Sequence, residues 1–127
     1  MRYLIDTQFF IWLMEKSNKI PRSLLDLLGD PQNQIFLSVA SIWELIIKKR
    51  KKKLKIPKNI KGDVKKSGFS ILPIEIEHVM RLEKLPNLHS DPFDRILIAQ
   101  SNAEDLILVT ADGNMRQYNA KFLKLRN

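Results

Sequence analysis

Residues 91–112 read DPFDRILIAQSNAEDLILVTAD, and the order of patterns within them decides the fold. Asp91 followed by Pro92 is a helix start. An aspartate accepts from the first unpaired backbone N–H groups, and proline's missing N–H costs nothing in the first helical turn. The helix this predicts runs to about Asn102. Leu106-Ile107-Leu108-Val109 then forms a short, wholly apolar run, the kind a strand covered on both faces requires. A helix feeding such a strand is half of a crossover unit, and crossover units build parallel sheets.

The same alternation extends outward. Towards the N-terminus, Arg2-Tyr3-Leu4-Ile5 predicts a strand and residues 7–15 a helix. Residues 20–29 predict a second helix, with Pro21 in its first turn and Gly29 as its stop. Residues 34–37 predict a strand, followed by a helix from Ser38 or Ser41 into a lysine run. Residues 57–68 are polar and loosely helical, 69–72 a strand stopped by Pro73, and 75–85 a helix. Beyond residue 112, Asn114–Tyr118 predicts a helical turn and Lys121–Leu125 a last strand. Strands alternating with helices imply one α/β domain over residues 1–127, its sheet mostly parallel and covered on both faces.

Composition narrows the chemistry. Hydrophobic residues at 44% and charged residues at 28% are those of a globular chain, which excludes wholesale disorder. There is no cysteine, so disulfides, thiolate metal sites and thiol nucleophiles are excluded. The two histidines, His78 and His89, argue against a His-rich metal site and are expected at surface or loop positions. The apolar N-terminus is interrupted by Asp6 and Gln8 and lacks a small-residue cleavage site, so no signal peptide is expected. No apolar run approaches the roughly 20 residues that span a bilayer. The expected setting is cytoplasmic, with no membrane partner.

In open parallel sheets, ligands bind beyond the carboxyl ends of the strands. Four acids are expected there: Asp6 closing the first strand, Glu44 early in the helix after the second, Asp94 in the first turn after Asp91, and Asp112 after the last apolar run. Each also has a local explanation. Asp6 can cap a helix; Ser41-x-x-Glu44 and Asp91-x-x-Asp94 match helix-start patterns; Glu44 can pair with Lys48; Asp112-Gly113-Asn114 can be a turn. Taken together they repel, by about 4 kcal/mol for two unit charges 4 Å apart at an effective dielectric near 20. Such a cluster takes up protons or holds a cation. Oxygen ligands select Mg²⁺ or Mn²⁺, and either ion suits phosphodiester hydrolysis by a water of lowered pKa.

The stretches LIDTQFFIWLM, SVASIWELIIKK, DPFDRILIAQ and LILVTAD resemble the PIN-domain ribonucleases, specifically the VapC toxins of toxin–antitoxin pairs, over nearly the whole chain. The resemblance implies a three-layer α/β/α fold with about five strands and Mg²⁺- or Mn²⁺-dependent RNA cleavage. It also implies a homodimer and a VapB-like antitoxin. Position by position, the metal-binding and catalytic acids would be Asp6, Glu44, Asp94 and Asp112. Asp6 and Asp94 would hold the ion most directly, Asp112 directly or through water, and Glu44 would orient the attacking water or complete the shell. Thr110 matches a position that supports the site by hydrogen bonding. Asp91 is read as a helix cap. Gln8 and Ser90 depart from the pattern, and neither removes a ligand.

The net charge of +8 is concentrated: residues 48–55, KKRKKKLK, hold seven cations. Lys48, Lys49, Arg50, Lys51, Lys52, Lys53 and Lys55 are expected to hold RNA backbone, or an acidic antitoxin, in a salt-dependent way; one or two of them would suffice for a solvated helix end, and seven point to a polyanion partner. Arg95 is expected to meet phosphate or orient a carboxylate. Trp12 and Trp43 are read as core or dimer-interface residues rather than base-stacking platforms. A rival reading is a non-catalytic RNA- or protein-binding module whose acids only cap helices. A phosphatase of the haloacid-dehalogenase type needs an acid where Gln8 stands, and a receiver domain needs an adjacent acidic pair; both are poor fits.

Overall fold

The computed structural model describes residues 1–51 and 59–125. Four strands, β1 (Arg2–Ile5), β2 (Gln34–Ser38), β3 (Ser70–Leu72) and β4 (Ile107–Val109), form a parallel sheet in the order β3-β2-β1-β4. Six helices accompany them among the described residues: α1 (Thr7–Met14), α2 (Arg22–Gly29), α3 (Val39–Arg50), α4 (Ile60–Lys66), α5 (Ile76–Arg81) and α6 (Pro92–Glu104). The fold is the expected α/β arrangement. The anticipated last strand is reduced to a single parallel bridge between Leu108 and Phe122. The next carbonyl, that of Leu123, accepts from Arg116 at 2.8 Å instead of extending the ladder.

Alternation along the strands explains the layers. Tyr3 and Ile5 of β1, Ile35 and Leu37 of β2 and Val109 of β4 pack with Phe9, Phe10 and Leu24 on one face. Leu4 and Leu108 point the other way, against Leu97 and Ile98 of α6 and Met115. A sheet buried on both sides needs apolar residues at every strand position, which is why these strands read as unbroken apolar runs.

Helix starts follow side-chain chemistry. Asp6, Ser38 and Asp91 each accept from backbone N–H groups at the heads of α1, α3 and α6. The cap of α3 is Ser38, so Ser41 lies inside that helix, where its Oγ accepts from the Thr7 hydroxyl at 2.8 Å. The pair Ser41 and Glu44 is therefore not a cap. Pro21 stands at the N-cap of α2, one position before the helix proper.

His78 corrects the expectation of a surface or loop position. It is fully buried on α5, with Nδ1 accepting from the Glu75 N–H at 2.9 Å and Nε2 lying 2.9 Å from Glu104 Oε2. Its two ring nitrogens tie the head of α5 to the end of α6.

Strand register then builds an edge. Ile5 stands opposite both Leu37 and Val109, and the Asp6 N–H donates to the Val109 carbonyl at 3.0 Å. The strands thus end flush. The chain proceeds outward from β1 through β2 to β3, then returns to the other side of β1 for β4. The topological switch, where crevices open in such sheets, lies between β1 and β4, at Asp6.

Candidate functional site

A cavity of about 340 Å³ opens at that switch point. Asp6, Glu44, Asp94 and Asp112 all line it, together with Gln8, Trp12, Lys48 and Asp91. Four acids from distant stretches of the chain are brought to one place. Thr110, the first residue beyond β4, lies fully buried beside them.

Each acid is fixed by a local bond. The Phe9 N–H donates to Asp6 Oδ1 at 2.9 Å, and the Asn114 N–H donates to Asp112 Oδ1 at 2.8 Å. The Asp112 N–H in turn donates to Thr110 Oγ1 at 3.0 Å. Asp91 Oδ1 accepts from Phe93 and Asp94, so Asp91 is the cap it was read to be. Glu44 is 7% exposed; its Oε2 lies 3.0 Å from Lys48 Nζ, while its Oε1 is buried with no hydrogen-bond partner.

The carboxyls respond to this crowding. Asp6 is pushed up to about 6 from an ordinary value of 3.8. Burial is the main cause; hydrogen bonds from Thr110 and the Phe9 N–H pull the other way, and the nearby charges of Asp94 and Asp112 add to the rise. Asp94 is also pushed up to about 6, again first by burial, with His89 opposing and Asp91, Glu44 and Asp112 contributing. Coupling between residues so far apart in sequence requires them to share one space.

His89 is the functional-site residue that sequence reasoning missed. Its Nε2 lies 2.9 Å from Asp94 Oδ2 and 3.9 Å from Asp112 Oδ2. One ligand atom from each of His89, Asp94 and Asp112 falls within 4.8 Å of the others. A signal was present: His89 stands two residues before the cap of α6, where the chain entering the helix folds back over its first turn. The expected all-oxygen donor set thereby gains a nitrogen.

This donor set fits a hard divalent cation. Carboxylate oxygens and one imidazole nitrogen converge, and a buried Glu44 oxygen is left without a proton donor, a cost of about 1–3 kcal/mol that a cation would remove.

The basic candidates divide. Lys48 lines the cavity. Lys49, Arg50 and Lys51 lie at the end of α3 and are not among the residues lining it. Lys52, Lys53 and Lys55 lie outside the described residues. Arg95 departs from expectation: its guanidinium donates to the Pro86 carbonyl at 2.9 Å and the Tyr118 hydroxyl at 2.8 Å. That engagement ties the segment before α6 to the segment after β4, and directs the charge away from the cavity. The reason is steric, since Arg95 neighbours Asp94 on a helix and so projects roughly 100° round from it.

Residues 3–121 match the PIN domain family. No curated protein matches the chain. Among solved structures, a chain of VapBC2 from Rickettsia felis, bound to a DNA fragment from its promoter, is similar with a TM-score of 0.76 at 22% identity, covering 99% of this chain and 100% of that one. A chain of VapBC-1 from nontypeable Haemophilus influenzae gives 0.72 at 17%, covering 97% of each. A chain of a toxin–antitoxin complex from Klebsiella pneumoniae gives 0.66 at 20%, covering 96% of each. At these identities the likeness shows the fold.

The raised Asp6 carboxyl has a signed consequence. Between about pH 4 and pH 6 the unfolded chain releases a proton that the folded, metal-free protein retains, so stability is lost as pH rises through that window. Asp6→Asn keeps the Oδ1 that caps α1 and removes the charge. It is expected to stabilise the metal-free protein at pH 8 by roughly 1–3 kcal/mol, the gain vanishing by pH 4. Urea unfolding at both pH values measures it; destabilisation at pH 8 contradicts the crowding of charge described above.

Proposed function

The chain belongs to the PIN domain family, and from that premise we propose that it is a Mg²⁺- or Mn²⁺-dependent endoribonuclease, the toxin of a VapB-like antitoxin. The observation that carries the reading is the convergence of Asp6, Glu44, Asp94 and Asp112 in one cavity, with a buried Glu44 oxygen left unsatisfied. The antitoxin is supported by the solved relatives, which are toxin–antitoxin complexes. Among the described residues no helix is long and apolar enough to cross a membrane, and the setting proposed is the cytoplasm.

Asp6, Asp94 and Asp112 would hold the ion, with Glu44 completing the shell or orienting the attacking water. When bound, the ion supplies charge to counter phosphate and lowers the pKa of a water so that hydroxide is available near neutral pH. The chain's own residues set the geometry. Asp6 cannot swing away, because the Phe9 N–H fixes its Oδ1. Thr110 holds the Asp112 backbone, whose N–H donates to its Oγ1 at 3.0 Å. His89 orients Asp94 through Nε2, 2.9 Å from Oδ2. Lys48, the cation at the cavity wall, relieves part of the acid charge and offers a contact to an incoming phosphate. Water attacks phosphorus and the 3′-oxygen departs, leaving a 5′-phosphate and a 3′-hydroxyl. The mixed oxygen and nitrogen set suits Mn²⁺ at least as well as Mg²⁺.

A homodimer is proposed from the exposed face of α3. Val39, Trp43 and Ile46 stand one and two turns apart, and Trp43 is 57% exposed, packed edge-on against Phe93. Trp43 is thus not a core residue, and of its two anticipated roles the interface is the one left open. An apolar stripe exposed to water supports a contact surface there.

Purified protein is expected to cleave RNA with Mg²⁺ or Mn²⁺ and not with EDTA. Asp6→Asn and Asp94→Asn should each lower the rate by on the order of a hundredfold or more while RNA binding persists. RNA binding without cleavage by the unaltered chain would return it to the binding-module reading, and cleavage unaffected by both substitutions would refute the acidic site. Sedimentation should show a dimer that Trp43→Glu converts to monomer; an unchanged sedimentation coefficient refutes the α3 interface.

A further inference from the structure

The acidic cavity has a neighbour of opposite character. A groove of about 640 Å³ lies beside it, and Trp12 and Ala111 form part of the wall of both. Phe9 and Trp12 supply the groove's aromatic surface, and Lys19, Arg116 and Lys124 its charge. None of its described lining residues is acidic. Trp12 is half-buried, its ring set edge-on to Phe9 with centroids 5.2 Å apart. Lys19 Nζ sits over the Trp12 ring, 5.5 Å from its centroid. Arg116 is committed to the wall, donating to the Thr110 carbonyl at 2.7 Å and the Leu123 carbonyl at 2.8 Å. Lys19 and Lys124 are exposed on long, mobile stems.

We infer that this groove is a nucleotide subsite: single-stranded RNA reaching the acidic cavity lays one base against Trp12 and its neighbouring phosphates against Lys19 and Lys124. The inference rests on the nuclease reading and adds the place where the substrate is gripped.

Charge leads to it first. A cavity lined by five carboxylates repels a phosphodiester, and Lys48, paired with Glu44, offsets only part of that charge, so further attraction has to come from the surroundings. The cations beside the shared Trp12 wall provide that attraction at the mouth of the cavity. The aromatic surface sets the class of ligand. A cationic groove combined with an accessible indole face is the pairing that holds single strands, since every base has a face to stack and every linkage a charge to meet. The Lys19 ammonium now covers that face; an arriving base takes its place, and the ammonium moves outward to the phosphate. An acidic peptide fits less well, because its carboxylate side chains have no flat aromatic face to stack on Trp12. Trp12, read from sequence as a core or dimer-interface residue rather than a base-stacking platform, is by position part of the wall between the two sites.

The test uses the full chain carrying Asp94→Asn, so that RNA is held and not cut, and a short fluorescein-labelled single-stranded RNA of mixed sequence in Mg²⁺. With Trp43→Phe added, Trp12 is the sole tryptophan, and its emission is expected to be quenched as RNA is titrated. Trp12→Leu should weaken binding at least about fivefold and leave the salt dependence unchanged, as loss of a stacked base requires. Lys19→Glu with Lys124→Glu should reduce the slope of log affinity against log salt by about 1.4, roughly 0.7 for each lost phosphate contact on a single strand. In the chain with Asp94 intact, the same lysine changes should raise KM and leave kcat unchanged. Unmoved Trp12 emission with wild-type affinity and slope in the groove variants overturns the subsite, while continued cleavage leaves the nuclease reading standing. Failure of the unaltered chain to bind or cut RNA overturns both.

Discussion

Repulsion among four buried or half-buried carboxylates is the constraint around which this structure is arranged. Pairing of Ile5 with Val109 and the bond from the Asp6 N–H to the Val109 carbonyl hold β1 and β4 flush. Asp6 therefore cannot withdraw from the segment that carries Asp112. Asp91 fixes the first turn of α6, and with it Asp94. Lys48 faces this concentration of negative charge and offsets only part of it, while His89 meets Asp94 through a ring nitrogen. Asp6 and Asp94 respond by holding their protons up to about pH 6. At neutral pH that remedy is lost, and a divalent cation becomes the natural complement of the site.

The local and the collective explanations of these acids are compatible. Asp6 caps α1 with Oδ1, and Asp112 closes a turn with Oδ1 while its Oδ2 faces His89. Glu44 pairs with Lys48 through Oε2 while Oε1 stays unsatisfied. A carboxylate has two oxygens, so one can hold the backbone and thereby aim the other. The bonds that make each acid look ordinary are those that prevent the cluster from dispersing.

Much of this was legible in the sequence, for physical reasons. The strands read clearly because burial on both faces demands unbroken apolar runs, and α6 because Asp91-Pro92 admits few other structures. The last strand misled: residues 121–125 have a strand's composition, but pairing beyond Phe122 depends on where Arg116 places its guanidinium. The four acids were legible because strand ends and helix heads are positions that local patterns mark. His89 was not, since a histidine in a loop gains meaning only from the carboxylates brought to it in three dimensions. His78 was hidden for a related reason: a polar ring is buried only where two partners await it, here the Glu75 N–H and Glu104. Arg95 misled by adjacency, since one step along a helix turns a side chain to another face.

Anomalous diffraction from crystals grown with Mn²⁺ would locate the ion that the acids are proposed to hold. One dominant peak is expected in the cavity, within bonding distance of carboxylate oxygens from Asp6, Asp94 and Asp112. A protein saturated with Mn²⁺ whose ion lies elsewhere, with these side chains turned apart, would contradict that proposal.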